Sequence, residues 1–315
     1  MTKKIAFLFP GQGSQTVGMG KDLYDNYPAA KKVFDTADKV LGKKISNICF
    51  NGPEEDLKQT INTQPAIVTT SIAALEAFKS ELDITSTCTA GHSLGEYCAM
   101  YASGVMDLET TLKSIQKRAD LMNETKGGAM AAILNAPEGS LEKALEEASP
   151  VGYVDVANYN SPVQVVITGD EAAVSKAGEL LTQAGARRVV PLAVSGAFHS
   201  KYMENAGEKF KEFISELEIN NAQIPVFTNV DASATILGAE FKNKMPKQIY
   251  SSVQWTKTIQ NMVKDGVDTF IEIGPGKVLS GLVKKIDAGV KTYNIFDKQS
   301  LENVVSSLKE ELTKV

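Results

Sequence analysis

The chain has 315 residues and a formal net charge of −5, with 43% hydrophobic and 23% charged residues. This composition is typical of a soluble globular protein with one large domain or two ordinary ones, and it excludes disordered, collagen-like and small disulfide-rich proteins. The acidic balance argues against nucleic acid as a partner, because phosphate binding needs a basic surface. No apolar run approaches the ~20 residues of a membrane helix, so we expect no membrane association.

Cysteine and histidine are scarce. Cys49, Cys88 and Cys98 form no CxxC pair, which favours a reducing compartment and predicts a cytoplasmic location. His92 and His199 are the only histidines, and no cluster has the spacing of metal ligands. We therefore predict neither a metal nor a bound cofactor. A general base that works near neutral pH would be one of the two imidazoles.

The first predicted elements alternate between short apolar strands and amphipathic helices. In chain order they are a strand over 5–9, helices around 20–41 and 64–81, a strand near 86–90, and helices over 94–103 and 107–123. Asp107 is the expected N-cap of the last helix.

The pattern changes after Gly127-Gly128. The elements that follow are a strand over 129–134, a helix over 141–148, strands over 151–157 and 163–168, a helix over 172–184 and a strand over 188–194. This βαββαβ order is the ferredoxin-like arrangement, which forms a compact unit of its own. It predicts a small inserted domain over 128–197.

Strands and helices also alternate after the insert. The predicted elements there are a helix over 201–217, a strand over 224–229, a helix over 257–264, and a strand over 270–273 that leads through a glycine loop into another helix. Alternation on both sides of the insert indicates a layered α/β sheet. We assign 1–127 and 198–315 to this larger domain.

A serine lies in the pattern of a nucleophile elbow. Gly91-His92-Ser93-Leu94-Gly95 fits G-x-S-x-G, between a predicted strand and a predicted helix. Such a turn exposes the serine at a helix N-terminus, where free N–H groups favour negative charge. An ordinary glycine-rich turn is the alternative. The context favours a nucleophilic Ser93.

A serine nucleophile needs a base. His92 adjoins Ser93, and neighbours in so tight a turn point in different directions, which leaves His199. The alternative for His199 is a buried structural histidine. No carboxylate partner can be chosen from spacing, and a carbonyl oxygen can orient a neutral imidazole instead.

Two other glycine loops fail the nucleotide-binding patterns. Thr16 stands where a dinucleotide motif in the loop after the first strand needs glycine, and Val278 replaces the Ser or Thr of a Walker loop. A glycine-rich loop after a strand can still present backbone N–H groups to an oxyanion.

Arginine is rare in the sequence, and Arg118 has an unusual position. It lies about 40° beyond the edge of the apolar stripe on its helix. An arginine beside a buried face needs an anionic partner, so a carboxylate ligand and a structural ion pair are both open. Arg187-Arg188 indicates a solvated basic pair that can meet an acidic partner.

Taken together, these segments resemble the malonyl-CoA:acyl carrier protein transacylase family of bacterial fatty acid synthesis, and the resemblance covers essentially the whole chain. The motifs that carry it are Phe9–Gln15 (FPGQGSQ), Thr63–Ala66 (TQPA), Gly91–Glu96 (GHSLGE), Arg118, Asn160–Pro162 (NSP), Gly196–His199 (GAFH), Val253–Thr256 (VQWT) and Ile273–Gly276 (IGPG). The resemblance implies an α/β-hydrolase-like core with a parallel sheet plus the ferredoxin-like insert. It also implies malonyl transfer from coenzyme A to the phosphopantetheine thiol of holo acyl carrier protein, through a malonyl-serine intermediate.

The resemblance also implies roles for individual residues. Ser93 is the expected nucleophile and His199 its base, while the backbone N–H groups of Gln12 and Leu94 form the oxyanion hole. Arg118 holds the malonyl carboxylate, and the backbone carbonyl of Gln248 orients His199.

Three further expectations complete this interpretation. Phe198, next to the base, narrows the pocket against a methyl group on the malonyl carbon. Arg187 and Arg188 dock the acidic carrier protein, and we expect a monomer. The alternatives are a trans-acting malonyl acyltransferase of polyketide synthesis, a general serine esterase or thioesterase, and a non-catalytic docking module for the carrier protein.

Overall fold

The computed structural model describes residues 4–194 and 196–313, with the side chains of 312 and 313 left out. In these residues the strands are β1 (Ile5–Phe9), β2 (Cys88–Gly91), β3 (Ala129–Leu134), β4 (Val154–Ser161), β5 (Gln164–Gly169), β6 (Arg188–Pro191), β7 (Val226–Phe227), β8 (Ala234–Thr235), β9 (Thr269–Ile273) and β10 (Lys291–Ile295).

The helices surround two sheets. They are α1 (Lys21–Asn26), α2 (Pro28–Leu41), α3 (Ile45–Asn51), α4 (Glu54–Lys58), α5 (Thr60–Glu81), α6 (Gly95–Ala102), α7 (Leu108–Glu124), α8 (Ser140–Ala148), α9 (Glu171–Ala184), α10 (Glu204–Ser215), α11 (Gly238–Tyr250), α12 (Trp255–Lys264), α13 (Val278–Ile286) and α14 (Lys298–Thr313). A short 3-10 helix, Lys201–Met203, precedes α10. No helix of the described residues is long and apolar enough to span a membrane.

The larger sheet has the strand order β10-β9-β1-β2-β7-β8. Its strands run parallel except for the short β8, which pairs antiparallel with β7. Every residue of β1 and β9 is buried, as expected for central parallel strands covered on both faces. Phe7 and Phe9 enter one hydrophobic core, and Ala6 and Leu8 enter another on the opposite face.

The smaller sheet is antiparallel, with the order β4-β5-β3-β6. This is the ferredoxin-like order, because the two outer strands are the second and fourth of the unit. One face packs under α8 and α9 through residues such as Ile133, Ile167 and Leu181. The other face contributes Met130 and Val166 to the core of the larger unit, so the two units share a packed boundary.

The structure confirms the predicted layered α/β core with an inserted ferredoxin-like unit. All elements of the small sheet fall inside the predicted 128–197, while Ser195 lies outside the described residues. Other boundaries differ from the predictions. The helix expected at 20–41 is two helices, because Pro28 starts a new one at its first position. The helix expected from residue 64 begins at Thr60 and contains Pro65.

Several observed elements have no counterpart among the predictions. They are α3, α4, β8, α11, β10 and α14. The strand β8 has only two residues, which is too short for an alternating pattern to show, and β7 is shorter than the strand predicted over 224–229. The central strands β1, β2 and β9 all end at one edge of the sheet, where loops of parallel α/β proteins usually bind ligands.

Candidate active site

Ser93 lies on a sharp turn between β2 and α6, with a left-handed backbone φ of 51°. A non-glycine residue in this region costs about 1–3 kcal/mol, so the surroundings must hold it. The flanking glycines allow the turn to close: a Cβ on Gly91 would lie 2.0 Å from the Gly95 backbone, and a Cβ on Gly95 would lie 2.3 Å from the Phe9 carbonyl oxygen. The turn is therefore an elbow, packed against the end of β1.

His199 faces this serine. Its Nε2 lies 2.8 Å from Ser93 Oγ, although the two residues are 106 positions apart in sequence. On the other side of the ring, Nδ1 lies 3.0 Å from the Gln248 carbonyl oxygen and 3.1 Å from that of Ser251. Carbonyl oxygens only accept, so Nδ1 carries the proton and Nε2 is free to accept the Ser93 hydroxyl proton.

The two carbonyls come from the C-terminal end of α11. Carbonyls in the last turn of a helix have no partner within the helix, so they are available to a side-chain donor. They also form the negative end of the helix dipole, which stabilises an imidazolium if one forms. The structure places the Gln248 carbonyl as the resemblance implies and adds Ser251, which sequence reasoning missed.

His199 is buried, and its pKa is lowered to about 3. Burial is the largest cause, followed by the positive charge of Arg118 and the proximity of His92. The imidazole is consequently neutral at physiological pH and well below it. A neutral imidazole beside a serine hydroxyl is the arrangement of a general base.

His92 points elsewhere. Its Nε2 lies 2.7 Å from Asn160 Oδ1, and its ring packs edge-on against Trp255 at a centroid distance of 5.4 Å. This orientation agrees with the expectation that the neighbour of Ser93 is not its base.

Arg118 is only 1% exposed, deeper than helical periodicity indicates. It donates to Gln64 Oε1 at 2.6 Å, to Ser93 Oγ at 3.0 Å and to Gln248 Oε1 at 3.1 Å. Its Nε has no hydrogen-bond partner among the described residues. No carboxylate in residues 4–194 or 196–313 pairs with it, so the structural ion pair is not what the structure shows.

Glu96 is the buried acid whose charge acts on Arg118, without a hydrogen bond between them. Burial raises the pKa of Glu96 to about 7, so this carboxyl is only partly ionised at neutral pH. Arg118 therefore remains an incompletely neutralised cation beside Ser93. Such a site attracts an anionic ligand.

Ser93 and His199 open into a cavity of about 110 Å³. Its lining residues come from both units and are Gln12, Gln64, His92, Ser93, Leu94, Arg118, Met122, Met130, Asn158, Leu192, Val194, Phe198 and His199. The volume equals roughly four water molecules, which suits a small acyl group. Phe198 forms part of the wall and is 5% exposed.

Two backbone N–H groups at this cavity are available to a ligand. Gln12 follows β1, and Leu94 follows the serine at the start of α6. Neither N–H donates to another group in the described parts of the chain. The N–H of Ser93 itself is occupied by Asn229 Oδ1 at 2.8 Å. Gln12 and Leu94 both line the cavity with free N–H groups, and their role as an oxyanion hole stays a prediction.

Comparison with known proteins identifies the family of the chain. Residues 6–314 match the family model described as an acyl transferase domain. The chain is 47% identical over 312 residues to the malonyl CoA-acyl carrier protein transacylase of Bacillus subtilis, with 98% of each chain covered. It belongs to the malonyl CoA-acyl carrier protein transacylase family. The resemblance found in the sequence is thereby confirmed, and the protein is an acyltransferase.

Solved structures show the same fold. The malonyl CoA-acyl carrier protein transacylase of Clostridium perfringens has a TM-score of 0.94 and 40% identity, with 98% of both chains covered. A malonyl-transacylase solved in complex with a type II polyketide synthase acyl carrier protein also has a TM-score of 0.94, at 35% identity, covering 97% of this chain and 100% of that one.

Arg187 and Arg188 are not part of this cavity. Both are exposed at the start of the edge strand β6, and neither forms an ion pair within the described residues. Leu192, which lines the cavity, follows four residues after Arg188, a distance of about 13 Å along an extended chain. The two arginines therefore lie outside the cavity, on the edge of the small sheet from which the chain continues to Leu192.

Sequence reasoning missed three residues at the site: Gln64, Asn229 and Ser251. Gln64 was present in the TQPA motif, and that motif was the signal from which it could have been found. Asn229 lies two residues after β7 and Ser251 one residue after α11, and no motif marks them.

We predict that His199 titrates far below an ordinary histidine. A free imidazole is half protonated at its pKa of about 6.5, whereas the lowered pKa of His199 moves this midpoint to about 3. Imidazole ¹⁵N NMR of the labelled protein should show His199 neutral, with the proton on Nδ1, at pH 5. The variant His199→Gln assigns the signal, and a midpoint near 6.5 would contradict the geometry.

Proposed function

We propose that the protein moves a malonyl group from coenzyme A to the phosphopantetheine thiol of holo acyl carrier protein and so supplies fatty acid synthesis. The observation that carries this proposal is the surroundings of Ser93 Oγ, which lies within hydrogen-bond distance of both a neutral His199 and a buried Arg118. The first supports a nucleophile, and the second supports an acyl group that carries a negative charge.

Acylation begins with the Ser93 hydroxyl. His199 Nε2 accepts its proton as Oγ attacks the carbonyl carbon of the malonyl thioester. The negative oxygen that forms accepts hydrogen bonds from the backbone N–H groups of Gln12 and Leu94. The C–S bond then breaks, and the imidazolium gives its proton to the departing thiolate, so that coenzyme A leaves as the free thiol.

Transfer reverses these steps with a second thiol. The phosphopantetheine thiol gives its proton to His199 and attacks the malonyl-Ser93 ester, and the protonated His199 then restores the Ser93 hydroxyl. A thiolate is a good leaving group, so a base oriented by the carbonyls of Gln248 and Ser251 suffices without a carboxylate. Ping-pong kinetics follow from the covalent intermediate.

Selectivity comes from two residues of the pocket. The Arg118 guanidinium binds the free malonyl carboxylate, which replaces Ser93 Oγ as its acceptor. Phe198 narrows the wall beside the base and disfavours a methyl branch on the malonyl carbon.

We propose that no metal or bound cofactor takes part, because Ser93, His199 and two backbone N–H groups supply nucleophile, base and oxyanion donors. The coenzyme A thioester and the phosphopantetheine-bearing carrier protein are substrates. The proposal includes a cytoplasmic monomer. Cys49, Cys88 and Cys98 are free and buried, which fits a reducing compartment.

Two alternatives share the nucleophile. The transacylase solved with a polyketide synthase carrier protein supports a role in polyketide synthesis, since the same chemistry serves both pathways. A general esterase or thioesterase would have no function for the Arg118 guanidinium, which is buried beside the serine hydroxyl. We therefore favour the malonyl transferase.

Replacing Arg118 should remove the preference for a charged acyl group. We expect Arg118→Gln to lower kcat/KM for malonyl-CoA at least about 100-fold, because a charge-assisted contact is lost, and to affect acetyl-CoA by less than about tenfold. Lys117→Gln, on the neighbouring position of the same helix, is the matched control and should change neither. Equal losses for the two substrates would mean that Arg118 only supports the fold.

Charge reversal at Arg187 and Arg188 tests the proposed docking surface. We expect the double change to Glu to raise KM for holo acyl carrier protein about tenfold or more. The change replaces a basic patch that attracts the acidic carrier protein with an acidic one that repels it. The rate of Ser93 malonylation by malonyl-CoA should stay within twofold. The control is the same double change at the exposed pair Lys31 and Lys32 on α2. An unaltered KM for the carrier protein would refute the docking role.

A further inference from the structure

Asn229 is a buried amide that touches the elbow without touching the cavity. It lies two residues after the end of β7 and is 1% exposed. Its Oδ1 accepts from the Ser93 N–H at 2.8 Å, and its Nδ2 donates to the Gly91 carbonyl at 2.7 Å. One side chain therefore binds the backbone both of Gly91, at the end of β2, and of Ser93, the left-handed residue of the turn.

The same amide reaches the helix that orients the base. Gln248 Nε2 donates to the Ser93 carbonyl at 2.7 Å and approaches Asn229 Oδ1 at 3.4 Å. The backbone carbonyl of Gln248 accepts from His199. The two side-chain amides thus hold the N–H and the C=O of the nucleophile residue, and the backbone carbonyl of Gln248 also holds His199.

Asn229 is itself fixed on both sides. Its N–H donates to Glu96 Oε2 at 2.6 Å, and its carbonyl accepts from the Gln254 N–H at 2.9 Å. The turn that follows is held by Lys244 of α11, which forms an ion pair with Asp231 at 2.9 Å. Lys244 also donates to hydroxyl groups of the same turn and of β8. A side chain on so constrained a segment can impose a backbone geometry on its partners.

The use of the Ser93 N–H has a consequence for the oxyanion hole. Because Asn229 occupies that N–H, the donor that remains open at the elbow is the N–H of the next residue, Leu94. The left-handed φ of Ser93 directs this neighbour. Releasing the turn would move both the nucleophile and the oxyanion donor.

We propose that Asn229 is a positioning residue, which holds the Ser93 backbone in the conformation that aligns Oγ with His199 Nε2 and leaves the Leu94 N–H open. The inference rests on the proposed function. It assigns to Asn229 an effect on the chemical step and none on malonyl-CoA binding, because no atom of Asn229 lines the cavity.

No smaller side chain reproduces both hydrogen bonds. Alanine removes the acceptor and the donor, and serine is too short to reach the Ser93 N–H and the Gly91 carbonyl together. Either change leaves buried backbone groups without partners and frees the strained turn.

The experiment measures single-turnover malonylation of Ser93 by intact mass over a range of malonyl-CoA concentrations. We expect Asn229→Ala to lower the maximal acylation rate at least about 30-fold, since small misplacements of reacting groups cost rates of this order. The malonyl-CoA concentration at half-maximal rate should stay within about threefold. Labelling of Ser93 by a small fluorophosphonate, which needs no malonyl contact, should slow in parallel.

Asn294→Ala is the matched control. Asn294 is an amide on β10 that donates to Glu272 and Ser280, away from the elbow. It should lower the thermal unfolding midpoint and leave the acylation rate within about twofold. If Asn229→Ala does not fold, Asn229→Ser serves in its place and is expected to show the same separation of rate from half-saturation.

The outcomes separate the inference from the function on which it rests. A wild-type protein that is not malonylated at Ser93 would overturn the proposed function. Normal wild-type malonylation with an equally fast Asn229 variant, or an equal rate loss in Asn294→Ala, would overturn the positioning role alone.

Discussion

The site depends on a buried guanidinium and a neutral imidazole that meet at one serine oxygen. Arg118 and His199 approach Ser93 Oγ at 3.0 and 2.8 Å, from opposite parts of the chain. Two like-charged groups could not share this position, so burial and the nearby cation keep the imidazole unprotonated. The same cation lacks a carboxylate partner in the described residues. In the proposed function, this one arrangement supplies both the base and the binding site for an acyl group with a negative charge.

Backbone geometry makes this meeting possible. The elbow packs against the end of β1 with no room for a Cβ at either flanking glycine, and its strained residue is held by amide side chains from two other segments. The His199 ring is oriented by carbonyls at a helix end, where such groups lack partners. Neutral amides and backbone groups therefore do the positioning that a carboxylate performs in many serine enzymes.

Local sequence patterns predicted the elements well where the spacing of apolar residues and the capping or turn residues indicated the same structure. β3 has the predicted bounds of 129–134, and Asp107 caps α7 by accepting from the Thr110 N–H. The G-x-S-x-G pattern located Ser93, and the scarcity of histidine narrowed the base to His199. The family resemblance supplied the rest of the predicted site. Neither the local patterns nor the family resemblance revealed Asn229 or Ser251, because the contacts of these residues form only when separate segments of the chain pack together. Helical periodicity also underestimated the burial of Arg118. It lies outside the apolar stripe of its helix, but neighbouring elements cover it.

The central claim is a covalent malonyl-Ser93 intermediate that the carrier protein discharges. Intact mass after brief incubation with malonyl-CoA, for the wild type and for Ser93→Ala, tests it most directly. We expect one malonyl adduct on the wild type, none on the variant, and loss of the adduct when holo acyl carrier protein is added. An absent adduct, or one that survives Ser93→Ala, would contradict it.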